Sequence, residues 1–394
     1  MTIQPHPTRD TRIDVFRALA LLTIYVNHVP GNPFEFLTHK NFGFSDSAEA
    51  FVLISGIAVG LAYGLKFQPG NRLLSTLKAW RRAGVLYAAQ LFTTMATLGI
   101  FALVSIRYSS PEVMEKINIG PVMNDTAAAL VGLVTLGHQL GYNNILSMYA
   151  VVLLLLPAFL YLGSVSLRLM LTFSAAVWLL AGLYNVAPPN YPSGGYWFLN
   201  PLSWQFLFVI GIAGMLHVRR GGRIEANPLL LAAAFGYILL SLLWVRIPLW
   251  GIDTSLGLPG VLTGFNKTFL SLPRLLHVLA LAYVIVSIPA ISNLARTRLD
   301  NPLAVLGRHS LPVFVVGTIL SMAAQAYMQV APASMLLDTA LVVGGIALQF
   351  ALAYYLDWYQ RAVRAAKVRP IIEPALQPPV RVAPQPVHAK PVSV

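Results

Sequence analysis

The chain has 394 residues, of which 57% are apolar and only 10% are charged, and its mean hydropathy is +0.67. A soluble globular protein carries about 25% charged residues, so the composition excludes that class and indicates an all-α, polytopic integral membrane protein. The net charge of +13 is spread over short loops between apolar runs, which argues against a nucleic-acid-binding protein, and the lack of cysteine excludes disulfide and thiol chemistry.

The apolar runs predict about ten transmembrane helices, with both termini in the cytoplasm. The predicted spans are residues 12–29, 47–65, 84–106, 145–163, 169–187, 203–218, 227–246, 274–294, 309–329 and 335–357. In this arrangement 21 of the 27 Lys and Arg residues lie on the cytoplasmic side, as the positive-inside rule requires. The apolar stretches 126–137 and 255–265 are too short to span and are predicted to be interfacial or re-entrant. Residues 1–365 form the predicted transmembrane domain, and the Pro-rich segment 366–394 is predicted to be a disordered cytoplasmic tail.

Ionisable residues lie on one face of the first predicted helix. At about 100° per residue, Asp14, Arg17 and His28 share one arc with Leu21 and Tyr25. A rise of about 1.5 Å per residue separates Arg17 from His28 by about 16 Å, roughly half of a bilayer core. Charge inside a membrane is costly and marks functional positions, so this face predicts a membrane enzyme or a transporter.

Four short motifs follow one another along the chain. They are Arg17 and His28 with ten residues between them, Phe51–Gly56, the basic loop Lys78–Arg82, and Leu306–Ser310. In this order they resemble the motifs of the membrane-bound acyltransferase family 3. Segments 27–32, 46–51 and 200–205 are similar to the OpgC branch of that family, and the resemblance extends from about residue 9 to 355. The pair Leu311-Pro312 departs from the family pattern, on the side of the acyl donor.

The resemblance implies a multi-pass protein of the bacterial inner membrane that transfers an acyl group from a cytosolic acyl-CoA to a hydroxyl group. The OpgC branch is associated with glucan succinylation, so succinyl-CoA is the expected co-substrate. The expected acceptor is a periplasmic glucan or another extracytoplasmic carbohydrate. No bound cofactor is expected, and the expected partners are membrane lipids and proteins of glucan synthesis.

His28 suits the role of general base, because an imidazole exchanges protons near neutral pH. One of Asp46 and Glu49, at the start of the second span, is predicted to orient the imidazole. Arg17, with Asp14 beside it, either contacts the donor or forms a structural ion pair or a snorkelling anchor. His28 on its own is equally consistent with a helix cap.

Two further groups of residues are predicted to contact substrates. Arg81, Arg82, Arg308 and His309 are candidates for binding the phosphates of CoA, and the alternative is membrane orientation and binding of anionic lipid. Tyr196 and Trp197 are candidates for stacking on sugar, and the alternative is an interfacial aromatic belt. Asn143 is a candidate for lining the cavity.

No histidine or carboxylate spacing matches a metal-binding motif, so no metal is predicted. Ser55-Gly56 in the second span is better explained by close helix packing than by a serine nucleophile. Two other functions remain open on the sequence alone. One is a transporter or flippase of an anionic or acylated substrate, and the other is a scaffold subunit of a glucan-synthesis complex.

Overall fold

In a computed structural model, which describes residues 9–247 and 249–368, the chain is all-helical. No β-strand occurs within those residues, although Pro189 and Tyr196 form an isolated bridge. The helices are α1 (Arg12–His28), α2 (Ser47–Tyr63), α3 (Arg72–Tyr108), α4 (Gly120–Asn124), α5 (Thr126–Val134), α6 (Ile145–Val165), α7 (Leu167–Leu183), α8 (Pro201–Arg219), α9 (Pro228–Arg246), α10 (Gly260–Thr263), α11 (Leu272–Ser287), α12 (Pro289–Leu294), α13 (Pro302–Arg308), α14 (Ser310–Met328) and α15 (Met335–Val368).

Seven of these helices are long and apolar enough to cross a membrane, namely α2, α3, α6, α8, α9, α14 and α15. Helices α7 and α11 are apolar but shorter, and α1 has 17 residues and carries the ionisable face. Each of the ten predicted spans coincides with one of these ten helices, and the number of crossings and the orientation stay predictions. The eighth span, 274–294, is divided in two, since the residue before Pro289 is disfavoured in a helix.

The two short apolar stretches form helices that are far too short to span a bilayer. Segment 126–137 contains α5, which has nine residues, and segment 255–265 contains α10, which has four. Whether they enter the membrane stays a prediction. The predicted tail boundary at residue 366 falls within the last turn of α15, and residues 369–394 lie outside the described residues.

The basic segment Lys78–Arg82 lies on a helix and not in the loop that the sequence pattern predicts. It belongs to the first third of α3, which has 37 residues and is therefore about 55 Å long. Since a hydrocarbon core is about 30 Å thick, one end of this helix extends well beyond it. No proline interrupts the helix, and the basic residues are good helix formers, so nothing ends it at the membrane surface.

Helix α1 is enclosed by α2, α13, α14 and α15, and its contact with α13 is very close. A Cβ atom on Gly307 would lie 1.8 Å from the backbone oxygen of Asp14, so only glycine allows α13 to approach α1 at this point. Helices α2 and α8 approach equally closely at Gly56, where a Cβ atom would lie 2.1 Å from the oxygen of Phe208. This contact supports the packing interpretation of Ser55-Gly56.

Candidate functional site

Four cavities form a row in which each shares lining residues with the next, and three of them are lined by the ionisable face of α1. The first and second share Tyr63 and Arg82, and the second and third share Phe314. The third and fourth share Ile24 and His28. The row therefore extends from the basic end of α3 to the end of α1 at His28.

The first cavity, of about 470 Å³, lies beside the basic end of α3. Its lining combines cationic side chains with hydroxyl and amide groups and, in the described part of the chain, contains no acidic residue. The polar residues are Tyr63, Lys66, Asn71, Ser75, Lys78, Arg81 and Arg82. Four cations without a carboxylate favour anionic ligands, and arginine binds phosphate bidentately. Two predicted donor-site residues, Arg81 and Arg82, are thus brought together here.

The second cavity, of about 190 Å³, contains Arg17 together with Tyr149 and Arg82. The Arg17 side chain is 13% exposed, and its nearest carboxylate, that of Asp14, is 3.7 Å away. That carboxylate already accepts two hydrogen bonds from Arg9, at 2.7 and 2.8 Å. Among the described residues no hydrogen bond holds the Arg17 guanidinium, so its donors are available to a ligand in this cavity.

The third cavity is a constriction of about 10 Å³ between α1, α14 and α15. It is lined by Leu21, Ile24, Tyr25, His28, Phe314, Gly317, Thr318 and Gln349. The predicted arc of α1 therefore does face a row of cavities. Asp14 is the exception, because its carboxylate turns to Arg9 at the end of the helix.

The fourth cavity, of about 150 Å³, is the one that His28 lines with Tyr142, Asn144 and Lys267. The imidazole stacks on the Tyr142 ring with a centroid separation of 4.6 Å, and Tyr142 itself is 47% exposed. The backbone oxygen of His28 accepts a hydrogen bond from Gln325, which fixes the end of the helix. Within the described residues no hydrogen bond occupies the ring nitrogens of His28, so the imidazole is free to exchange a proton with a molecule in this cavity.

Asp46 and Glu49 form an ion cluster with Lys267 and Arg274 and do not hydrogen-bond to the imidazole of His28. The Nε of Arg274 donates to Glu49 at 2.7 Å, and Lys267 pairs with Asp46. Both carboxylates also cap α2 in a capping box. Burial alone would raise the pKa of Asp46, but Lys267 and Arg274 hold that pKa below its usual range. The predicted role of these carboxylates in orienting His28 stays a prediction.

Arg308 and His309, the other predicted donor-site residues, lie apart from the first cavity and pair with Asp357. An amino group of Arg308 is 2.8 Å from the Asp357 carboxylate, and Nε2 of His309 is 3.7 Å from it. Arg361 binds the same carboxylate. Because an internal carboxylate already neutralises these cations, they are weaker candidates for binding phosphate than Arg81 and Arg82.

The predicted substrate residues do not line the fourth cavity. Asn143 is buried and hydrogen-bonds through its side chain to Thr93 of α3 at 2.9 Å. Trp197 is 5% exposed, and Tyr196 is 51% exposed. The aromatic residues at the cavity are instead Tyr142 and Phe198.

Three basic residues that contribute to the fourth cavity and its ion cluster were not predicted as site residues from the sequence. Lys40 and Lys267 line the cavity, and Arg274 lies behind it. They are three of the six Lys and Arg residues that the topology prediction assigns to the outer side. A rare charge on that side was therefore an available signal. Among residues 9–247 and 249–368, no group of three or more His, Cys, Asp or Glu is arranged to hold a metal ion.

These features define a class: an all-helical membrane protein with a row of polar cavities along one helix, basic at one end and with a free imidazole at the other. The chain belongs to the OpgC family, since the family model described as OpgC protein matches residues 9–361. This confirms the branch predicted from the motifs and is consistent with the wider acyltransferase resemblance. No curated protein matches the chain, and neither does any solved structure. Family membership implies an acyltransferase-like, glucan-modifying membrane protein.

Proposed function

We propose that the protein is an O-acyltransferase of the bacterial inner membrane, which moves an acyl group from a cytosolic acyl-CoA to a carbohydrate hydroxyl outside the cytoplasm. The observation that carries this proposal is the row of linked cavities from the basic end of α3, past Arg17, to His28. An acyl-CoA has a phosphorylated nucleotide and a long, flexible pantetheine arm. This shape matches a row of cavities that is wide and cationic at one end and narrow further along. The family membership supports the same reaction class.

In the proposed reaction the head of CoA occupies the first cavity, with its phosphates on Arg81 and Arg82. The pantetheine arm passes Arg17 and brings the thioester towards His28, about 16 Å away along α1. Because the Arg17 guanidinium has no hydrogen bond within the described residues, its donors are available to the polar groups of this arm.

The transfer step needs one base and no covalent enzyme intermediate. An acceptor hydroxyl oxygen attacks the thioester carbonyl carbon while His28 takes the hydroxyl proton. The carbon–sulfur bond then breaks, and the imidazolium returns the proton to the departing sulfur, which leaves an ester and free CoA. The stacked Tyr142 holds the imidazole plane, and the half-exposed rings of Tyr142 and Phe198 offer apolar surfaces to a sugar.

Reconstitution in liposomes tests the proposal. The purified protein is supplied with labelled succinyl-CoA on one face of the membrane and glucan on the other, and label transfer is measured. We expect transfer by the unmodified chain and a loss of about 10²–10⁴-fold in His28→Ala, the usual contribution of a general base. His39→Ala is the matched control, because His39 lies on the same predicted side and does not line the fourth cavity.

Three other results would contradict the proposal in different ways. Unchanged transfer in a folded His28→Ala variant removes His28 as the base. Movement of substrate across the membrane without acylation favours a transporter or flippase. No transfer and no transport, with activity appearing only when other glucan-synthesis proteins are added, favours a scaffold subunit.

A further inference from the structure

Asn144 lines the fourth cavity together with His28, and its side chain takes no part in the transfer step described above. The residue is only 9% exposed, yet among the described residues its side-chain amide makes no hydrogen bond. A buried amide without a partner costs free energy, so folded proteins leave few of them. The amide donors of Asn144 are therefore available to a molecule in this cavity.

Asn144 occupies the N-cap position of α6, where an asparagine normally accepts a hydrogen bond from the first turn of its own helix. It makes no such bond here, so the first N–H groups of this 21-residue helix have no side-chain cap. Ile145, the first residue of α6, also lines the cavity, so the positive end of the helix dipole lies beside it. An unpaired amide donor and a helix N-terminus thus favour negative charge at the same place.

The other donors in the lining of this cavity are already engaged. Lys40 and Lys267 are each paired with a carboxylate. Of the two asparagines in the lining, Asn27 accepts a hydrogen bond from Thr38 at 2.7 Å. Among the described residues, Asn144 is therefore the asparagine of this cavity that no neighbour holds.

The segment that carries Asn144 is fixed on two sides. Tyr142 stacks on the imidazole of His28 with a centroid separation of 4.6 Å. Asn143 accepts hydrogen bonds from two side chains of α3, at 2.9 Å on its side-chain oxygen and at 2.6 Å on its backbone oxygen. A donor that is held in place before the reaction needs no reorganisation when charge develops beside it, which is the condition for strong electrostatic stabilisation.

We propose that Asn144 is a second catalytic residue, which donates a hydrogen bond to the carbonyl oxygen of the reacting thioester. The inference rests on the proposed acyl transfer. When the acceptor oxygen attacks the carbonyl carbon, an electron pair moves to the carbonyl oxygen, and His28 takes the hydroxyl proton. Asn144 and the N-terminus of α6 stabilise this oxyanion. The pair then re-forms the carbonyl as the carbon–sulfur bond breaks, and the sulfur leaves with the proton.

Steady-state kinetics of the purified full-length protein in liposomes test the proposal. Transfer from labelled succinyl-CoA to glucan is measured over a range of concentrations of each substrate. Asn144→Ala should lower kcat by about 10²–10³-fold, the usual contribution of one oxyanion donor, and leave both KM values unchanged.

A second variant separates catalysis from helix stability. Aspartate is as good an N-cap residue as asparagine and has nearly the same size, but its carboxylate has no amide donor. We therefore expect Asn144→Asp to keep the Tm of the unmodified chain and to lose at least as much kcat as Asn144→Ala. Ser147→Ala is the matched control, because Ser147 is buried and unpaired in the same turn of α6 but lines none of the four cavities. Its kcat should be unchanged.

Four results would overturn the proposal. An unchanged kcat in Asn144→Asp limits Asn144 to the start of the helix. A raised KM for glucan or for the donor at an unchanged kcat assigns the amide to substrate binding. An equal loss of kcat in Ser147→Ala indicates a general disturbance of α6. Unchanged kcat in Asn144→Ala, with transfer by the unmodified chain, refutes this inference alone, whereas no transfer by the unmodified chain refutes the proposed function.

Discussion

Removing the Arg274 guanidinium would leave the buried carboxylate of Glu49 without a cation. Glu49 has no exposed surface, and Arg274 is 2.6–2.7 Å from its carboxylate. Breaking such a buried pair costs about 3–5 kcal/mol. Glu49 can instead become protonated in the folded variant. At pH 7 this protonation costs about 3.7 kcal/mol relative to the unfolded chain, in which a glutamate has its ordinary pKa of about 4.3. We therefore expect Arg274→Met to destabilise the protein by about 3–4 kcal/mol.

The assay is thermal unfolding in detergent, followed by the fluorescence of the seven tryptophans, because a chain without cysteine cannot be followed by thiol-reactive dyes. At about 2 °C per kcal/mol, the expected fall in Tm for Arg274→Met is about 6–8 °C. At pH 5 protonation costs only about 1 kcal/mol, so the fall should shrink to about 2 °C. The fall in Tm shrinks at lower pH because protonation of Glu49 removes the negative charge that Arg274 neutralises in the unmodified chain.

A double variant and a control make the result interpretable. Arg274→Met combined with Glu49→Gln removes both charges and should recover most of the lost Tm, since no buried charge remains unpaired. Arg107→Met removes an exposed arginine of the same predicted side and should change Tm by about 1 °C at most. A Tm unchanged in the single variant, or a double variant no more stable than the single one, would refute the reasoning.

Two further predictions concern the walls and the entrance of the row of cavities. Gly307→Ala should lower both Tm and the rate of acyl transfer, because its Cβ would lie 1.8 Å from the backbone oxygen of Asp14. Gly84→Ala is the control: its Cβ would meet open space, so Tm should stay the same or rise slightly. Arg82→Gln should raise the KM for the acyl donor about tenfold with a small change in Tm. Arg308→Gln should instead lower Tm and leave that KM unchanged, and a raised KM there would reassign the donor site.

The local features of the site were predictable because they depend on helix periodicity alone. A spacing of 3.6 residues places Arg17, Leu21, Tyr25 and His28 on one face, and these four residues do line the cavities. The apolar runs likewise placed all ten long helices. The structure differs in dividing the eighth span into α11 and α12 and at the ends of the helices, chiefly at α3, whose basic N-terminal third has no sequence signal that would end the helix.

The pairing of charges could not be predicted, because partners far apart in sequence are set by the packing of helices. Asp46 is 221 residues from Lys267, and Glu49 is 225 residues from Arg274. In the same way, the sequence does not indicate that Arg308 pairs with Asp357, which the fold places beside it. A local pattern shows which face of a helix is polar, but it does not show which charges are already neutralised.

The constriction between Arg17 and His28 also affects whether protons can leak through the protein. A volume of about 10 Å³ holds at most one water molecule, since each needs about 10–15 Å³. Protons travel along chains of hydrogen-bonded water, and a membrane that stores a proton gradient is discharged by any such chain through it. The narrow segment between the two wider cavities interrupts such a chain, so in the proposed reaction acyl transfer would proceed without opening a path for protons through the protein.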